Sequence, residues 1–481
     1  MCLRVCLRVR RLRLRLRWRR AVMTWPETLK SALSFAGRRG MIAPPRAGVY
    51  HFLRENSEEK VRAHLRVNPD GSGMLLVNAA RVYHFNPSAT FMAYLVLTQT
   101  PREKAMKSLL QAFNVKREAL SADFDQVAAR VEGLLAPDGP CPVHEMDLEI
   151  LPPFSVKPNA PYRMDLALSY QCNNACSHCY NARARNFPQL TTPDWFKILD
   201  QLWDLGIPHV VFTGGEPTLR ADLPDLIAHA ERNGQITGIN TNGRRLKDAD
   251  YVKRLADAGL DHVQITLESH IAGIHNELVG HPGAWHETVA GLRNVLATKL
   301  YVMTNTTLLE KNAPHLEGTL DFLAEVGVPT VGLNALIYSG HGETVGTGLK
   351  ESELPPLLRL AQERTAAHQQ RLIWYTPTQY CHFDPMQLEL GVKGCTAALY
   401  NMCIEPDGSV LPCQSYYQPL GNLLTDSWDS IWNHELAVSL RERKDLPIDC
   451  LSCALLPECG GGCPLARNHQ QPLKSVLAIH A

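Results

Sequence analysis

From Met164 onward the chain alternates short apolar runs with amphipathic segments, and this alternation constrains the fold more than any other feature of the sequence. Strands are expected at Met164–Ser169, His209–Thr213, Ile236–Asn240, His262–Leu267, Leu300–Thr306 and Thr330–Leu336. Helices are expected between them, at Thr192–Leu205, Leu223–Arg232, Asp248–Ala258, Trp285–Thr298 and His315–Val326, with a last one at Pro356–Gln370. Short strands alternating with helices build parallel β/α units. Six such repeats give an α/β fold, a partial (β/α)6 TIM-like barrel. In barrels of this kind chemistry collects where strands end.

The first of those ends carries Cys172-Asn173-Asn174-Ala175-Cys176-Ser177-His178-Cys179, followed by Tyr180. Three thiolates at C-x3-C-x2-C spacing can hold three irons of a [4Fe–4S] cluster and leave the fourth iron open to another molecule. A zinc knuckle is the alternative. Strand two ends in Gly214-Gly215-Glu216-Pro217. The glycines would let backbone carbonyls approach a ligand closely, and Glu216 could accept from an ammonium group or hold the loop.

Together these segments resemble the radical SAM superfamily, whose loop reads CxxxCxΦC; here Φ is His178. The resemblance implies that S-adenosylmethionine (SAM) chelates the open iron and that residues 214–217 bind its aminocarboxypropyl end. It also implies ribose and carboxylate contacts from Asn242 after strand three and from Thr266 and Glu268 at the end of strand four. Thr266 stands where a Ser is common, and Glu268 where an Asp is common. Many relatives carry HDxxR-G next. Here His275-Asn276-Glu277-Leu278-Val279-Gly280 puts Asn276 at the Asp position and Val279 at the Arg position.

Of 14 cysteines, ten fall into two clustered sets, a pattern for metal rather than for disulfides. The second set is Cys395, Cys403, Cys413, Cys450, Cys453, Cys459 and Cys463. Its spacing resembles the SPASM domain. That resemblance implies one auxiliary [4Fe–4S] cluster on Cys395, Cys403, Cys413 and Cys463, and a second on Cys450, Cys453 and Cys459. The last cysteine of the pattern has no counterpart after Cys463. Either the second auxiliary cluster is open or uses a substitute, for which His469 and His480 are candidates, or the C-terminus is truncated. Zinc is the alternative here too, because C-x2-C pairs bind it readily. Cys381 is open to three readings, a core thiol, a ligand or a substrate-facing residue, of which the first is favoured; Cys2, Cys6 and Cys141 lie away from both sets. A hairpin is expected over Met402–Pro412, turning at Asp407-Gly408. No side chain is assigned a catalytic role.

Upstream, residues 44–136 are expected to form a small α+β, winged-helix-like domain of three strands and three helices. Asn68-Pro69-Asp70-Gly71-Ser72-Gly73 joins the first two strands, and Arg81–Phe85 is the third. Asn86-Pro87 caps one helix, Pro101 opens another, and Ser121-Ala122-Asp123-Phe124 begins a third. The segment resembles the PqqD-like peptide-recognition domain, which binds leader peptides by strand addition. A winged-helix DNA-binding module is the alternative.

Residues 1–43 read as a basic extension, either a disordered tail or sequence upstream of a start at Met23 or Met41; a membrane-surface or nucleic-acid arm is the alternative. Residues 137–160 read as a Pro-rich linker, 161–375 as the radical SAM core, and 376–481 as the SPASM domain. Residues 1–22 hold nine arginines; the remainder has 40 basic against 48 acidic residues, which leaves no nucleic-acid footprint by charge. No apolar run is long enough to cross a membrane, and a cytoplasmic protein is expected.

These resemblances imply reductive cleavage of SAM to a 5′-deoxyadenosyl radical and oxidative modification of a substrate. A ribosomally made peptide is the first choice, its leader bound by the N-terminal domain. Flavodoxin or ferredoxin is the implied reductant. The alternatives are modification of a tetrapyrrole side chain and, from another class, a DNA-binding or electron-transfer iron–sulfur protein.

Overall fold

A computed structural model describes residues 41–55, 60–78, 81–136, 154 and 156–470. Cys2, Cys6, Cys141, His480, the basic extension through residue 40 and most of the expected linker lie outside them. The chain divides into two compact units, Met1–Leu151 and Pro152–Ala481.

The first unit holds four antiparallel strands, not the three expected. They are β1 (Gly48–Glu55), β2 (Lys60–Val67), β3 (Gly73–Val77) and β4 (Arg81–Phe85), paired in chain order. The missed strand, Gly48-Val49-Tyr50-His51-Phe52-Leu53-Arg54-Glu55, carries His51 and Arg54 among its apolar residues and so reads poorly as a strand. Arg54 ties it to the third helix through a two-pronged ion pair with Glu132 at 2.6 and 2.8 Å. Helices α1 (Pro87–Leu97), α2 (Arg102–Ala112) and α3 (Arg117–Leu135) follow. Asn86 caps α1 as expected, its side chain accepting from Ala89 N at 2.9 Å, with Pro87 in the first turn. The third helix starts at Arg117, four residues before the expected Ser121. Phe124, Val131, Leu134 and Leu135 are its buried face.

The second unit is built on β/α repeats. Its strands are β5 (Arg163–Ala167), β6 (His209–Thr213), β7 (Ile236–Thr241), β8 (His262–Thr266), β9 (Tyr301–Leu308), β10 (Thr330–Ala335) and β11 (Arg371–Trp374). All seven run parallel in chain order, so β11 adds a strand to the six expected. The helices between them include α4 (Thr192–Asp204), α5 (Leu223–Asn233), α6 (Ala249–Asp257), α7 (Ala272–Val279), α8 (Ala284–Leu296), α9 (Leu316–Val326) and α10 (Leu354–Ala367). Helix α7 was not foreseen.

Strand alternation decides what faces the helices. Met164, Leu166, Val210, Phe212, Ile239, Val263, Ile265, Val302, Val331 and Leu333 join one core with Trp195, Leu199, Leu226 and Leu292 of the helices. The intervening residues Asp165, Thr213, Gly238, Asn240, Gln264, Thr266, Asn305, Gly332 and Asn334 take the opposite face, which apart from Val211 and Met303 is small or polar. The first face holds the sheet to its helices; the second lines the concave side.

The C-terminal segment continues this sheet. The expected hairpin forms from β12 (Asn401–Ile404) and β13 (Ser409–Leu411), and β14 (Gly421–Asn422) pairs with β13. β12 lies parallel to β5, with Cys403 opposite Asp165. Barrel and cysteine-rich segment thus share one ten-stranded sheet. No helix among the described residues is long and apolar enough to cross a membrane.

Candidate functional site

The three cysteines of the loop after β5 are free of disulfides and half-buried. Burial pushes all three thiols up, and Cys176 is pushed further by Cys179 and Cys172. They therefore lie within electrostatic reach of one another. Binding a metal would release the protons of such thiols.

Backbone holds the loop. Ala175 N donates to Val279 O at 2.9 Å and Ser177 N to Leu278 O at 3.0 Å, both at the end of α7. His341 N donates to Cys179 O at 2.9 Å. Two arginines that sequence reasoning missed add to this. Arg185 donates to the carbonyls of Cys172 and Asn174. Arg244 donates to Asn173 O and to Asn174 Oδ1, and pairs with Glu287 at 2.6 Å. Their positions just after the cysteine loop and after Thr241-Asn242-Gly243 were the available signal. Val279, at the position where relatives carry Arg, is buried. Asn276 instead accepts from Trp285 N at 2.8 Å.

The glycines of the loop after β6 serve contact between two loops. Gly214 has φ +124°, and a Cβ there would stand 2.2 Å from Ser169 O; one at Gly215 would stand 2.2 Å from Gln171 O. Gly215 N donates to Ser169 O at 2.6 Å, and Glu216 N to Gln171 O at 2.8 Å. Of the two roles expected for Glu216, the structure shows the second. Its carboxylate is buried and accepts from Thr218 N, Thr218 Oγ1, Thr241 Oγ1 and Asn242 N at 3.1, 2.6, 2.7 and 2.8 Å. Pro217 opens the short 3-10 turn that follows. The Asn242 side chain donates to Asn173 Oδ1 at 2.6 Å, linking the strand-three loop to the cysteine loop.

His178 and Glu268 form a buried pair at 2.9 Å. Glu268 also accepts from Thr307 N at 2.9 Å, and its own N–H donates to His275 Nδ1 at 3.1 Å. Burial lowers His275 to about 4, so it is neutral with its proton on Nε2. His178 Nδ1, His275 Nε2 and Asn305 Oδ1 are buried without hydrogen-bond partners. Thr266 stands on the concave face, in register with Asn305 of β9. The structure therefore brings the cysteine loop, residues 214–217, Asn242, Thr266 and Glu268 to neighbouring strand ends. Tyr180 follows the loop, and its carbonyl accepts from the Tyr417 hydroxyl.

The donor set fits the implied groups. Three clustered thiols suit three irons of a [4Fe–4S] cluster, and partnerless buried polar atoms suit a polar ligand such as SAM. Among the described residues no three His, Cys, Asp or Glu side chains converge on one metal ion. A cluster needs no such convergence, since each thiolate binds a different iron.

In the C-terminal segment, Cys395, Cys413 and Cys463 come together: Cys463 raises Cys395, and both raise Cys413, after burial. Cys403 stands at one remove. It lies in an apolar cluster with Ala167, Tyr170 and Leu411 and interacts with Cys413. Cys450 interacts with Cys459 and Cys453. His469, expected as a substitute ligand, is engaged elsewhere. Its Nε2 lies 3.1 Å from Glu343 O, and its ring stacks on Tyr338 at 4.3 Å. Cys381 is exposed, not a core thiol.

A family model for the Radical SAM superfamily matches residues 166–335, and one for SPASM, an iron-sulfur cluster-binding domain, matches residues 395–454. The chain thus carries a radical SAM domain followed by a C-terminal SPASM domain. It is a radical SAM enzyme, and its cofactors are SAM and [4Fe–4S] clusters. Among curated relatives, an Fe-coproporphyrin III synthase of Methanosarcina barkeri (strain Fusaro / DSM 804) is 28% identical over 325 residues, 61% of this chain and 81% of that protein. Among solved structures, Streptococcus suis SuiB bound to its precursor peptide SuiA aligns with TM-score 0.63 at 18% identity. That alignment covers 87% of this chain and 96% of SuiB. The enzyme anSMEcpe with bound AdoMet aligns with TM-score 0.53 at 17% identity, over 64% of this chain and 91% of that one. At these identities the two structures share the fold of this radical SAM enzyme.

Proposed function

We propose that this radical SAM enzyme oxidises a ribosomally made peptide held by its N-terminal unit. The observation that carries the reading is the open four-stranded sheet of that unit, with β1 and β4 as its edges. An extended peptide can add to such an edge by main-chain hydrogen bonds, with side-chain pockets supplying specificity. On β4 the outward residues Val82 and His84 are exposed. The likeness to SuiB, crystallised with a precursor peptide, supports the reading, because its 87% coverage reaches past the barrel.

Cys172, Cys176 and Cys179 would hold the SAM-binding cluster, and Cys395, Cys413 and Cys463, with Cys403, an auxiliary one. When bound, the reduced cluster and SAM supply a 5′-deoxyadenosyl radical for hydrogen abstraction, and the auxiliary clusters an electron acceptor. The chain's part is positional. Glu216 fixes the ends of two strand loops, and Asn242, Arg185 and Arg244 fix the cysteine loop. His178, Tyr180, Gly214, Gly215, Pro217, Thr266 and Glu268 line or shape the SAM site. Polar residues of the concave face, Asn240, Gln264 and Asn305, orient what lies above them. A cytoplasmic flavodoxin or ferredoxin would supply electrons.

The test pairs the anaerobic holoenzyme with SAM, a reductant and a short precursor peptide sought in the reading frames beside its gene. The reading expects 5′-deoxyadenosine together with a peptide lighter by a pair of hydrogens. An unchanged peptide, with turnover of an iron coproporphyrin instead, would replace this reading with the tetrapyrrole one.

A further inference from the structure

Residues 464–481 hold no cysteine that could join Cys450, Cys453 and Cys459 as a fourth ligand. The fold brings one from upstream. Residues 378–383 form a turn packed directly on the Cys459–Gly462 segment. Tyr380 N donates to Cys459 Sγ at 3.4 Å, and that thiol reaches back to Thr378 O at 3.7 Å. His382 N donates to Gln379 O at 2.9 Å, which closes the turn with Cys381 inside it. The approach depends on Gly462, with φ +69°: a Cβ there would stand 2.6 Å from Gln379 Cγ and 3.1 Å from Gln379 N. The far side of the turn is fixed by Thr378 N to Lys393 O at 2.9 Å and Lys393 N to the Tyr380 hydroxyl at 3.0 Å.

Cys381 is thus the residue after one that already bonds a proposed ligand sulfur. Its thiol interacts electrostatically with those of Cys459 and Cys453, and Cys450 interacts with Cys459, Cys381 and Cys453. None of the four is in a disulfide; Cys381 and Cys453 are exposed, Cys450 is half-buried and Cys459 is buried.

We propose that Cys381 is the fourth thiolate of the second auxiliary cluster, closing a Cys381, Cys450, Cys453 and Cys459 site. This rests on the reading of the C-terminal segment as a cluster-binding domain. Four thiolates suffice for a [4Fe–4S] cluster, and each gives up its proton on binding iron. The Tyr380 N–H aimed at Cys459 Sγ would offset the negative charge gathered there. A closed site offers no iron to a substrate. It limits the second auxiliary cluster to electron transfer, in place of the open iron that the spacing alone implies.

The test uses the full chain with Cys172, Cys176 and Cys179 replaced by Ala, so that only auxiliary irons are counted. After anaerobic reconstitution this parent should hold about 8 irons, four per cluster. Adding Cys381→Ala should lower the count toward about 4 and remove one of two reduced electron paramagnetic resonance signals. Adding Cys381→Ser should retain iron but shift that signal. In the unmodified holoprotein the exposed Cys381 should resist iodoacetamide and become reactive once iron is chelated away. Full iron, unchanged spectra and ready alkylation of Cys381 in the holoprotein would overturn the assignment of Cys381 alone. A parent that holds zinc, or no metal, at Cys450, Cys453 and Cys459 would overturn the cluster reading itself.

Discussion

At the scale of single residues, the site is held by buried polar groups whose partners are their own neighbours. Glu216 satisfies two hydroxyls and two backbone N–H groups. Glu216→Ala leaves those donors buried and unpaired, which should cost about 3 kcal/mol. The denaturation midpoint should fall and SAM affinity should drop with it, while Glu216→Gln should lose less. His275 sets a pH dependence. It is buried and held to about 4, whereas an unfolded histidine titrates near about 6.5. Between those values the unfolded chain binds the extra proton. This contribution is therefore complete above about 6.5 and is lost as pH falls toward 4. About 3 kcal/mol is at stake. Urea denaturation of the metal-free protein at pH 7.5 and pH 5 should show a smaller difference for His275→Gln than for the unaltered chain.

At the scale of elements, much was legible because period and spacing are local properties. Val210, Phe212, Val263 and Ile265 mark their strands by alternation and burial, and all six expected barrel strands are present. The cysteine loop and Gly214-Gly215-Glu216-Pro217 were placed correctly relative to those strands. What escaped the reading depends on contacts distant in sequence. β1 pairs with β2 and is tied by Arg54 to Glu132, 78 residues away. Arg244 and Asn173 meet across 71 residues, and Cys381 reaches its neighbours only through the turn stacked on Cys459. The glycine pair was read as making room for a ligand; the structure shows that it makes room for the chain. Gly214→Ala should therefore disrupt the two loops even without SAM, through both the positive φ and the overlap with Ser169 O. A loss of about 3 kcal/mol is expected. Protection of the Gly215 amide, which donates to Ser169 O, should vanish in hydrogen exchange.

At the scale of the whole molecule, one sheet carries both the cysteine loop and the SPASM hairpin, with Arg183 bridging them. Its guanidinium pairs with Glu405 at 2.8 Å and lies over the Tyr417 ring at 4.5 Å. The N-terminal unit is a separate compact body. Removing residues 41–136 should therefore spare SAM cleavage in the absence of substrate and abolish tight binding of the precursor peptide, as read by calorimetry. Peptide binding undiminished by that removal would assign recognition to the barrel. The central claim is that Cys172, Cys176 and Cys179 hold the cluster at which SAM is cleaved. Its most direct test is the 5′-deoxyadenosine formed by anaerobic, reconstituted and reduced protein. The account predicts its formation by the unaltered chain and none when all three cysteines are Ala, with the C-terminal irons retained. Undiminished 5′-deoxyadenosine in that triple variant would contradict it.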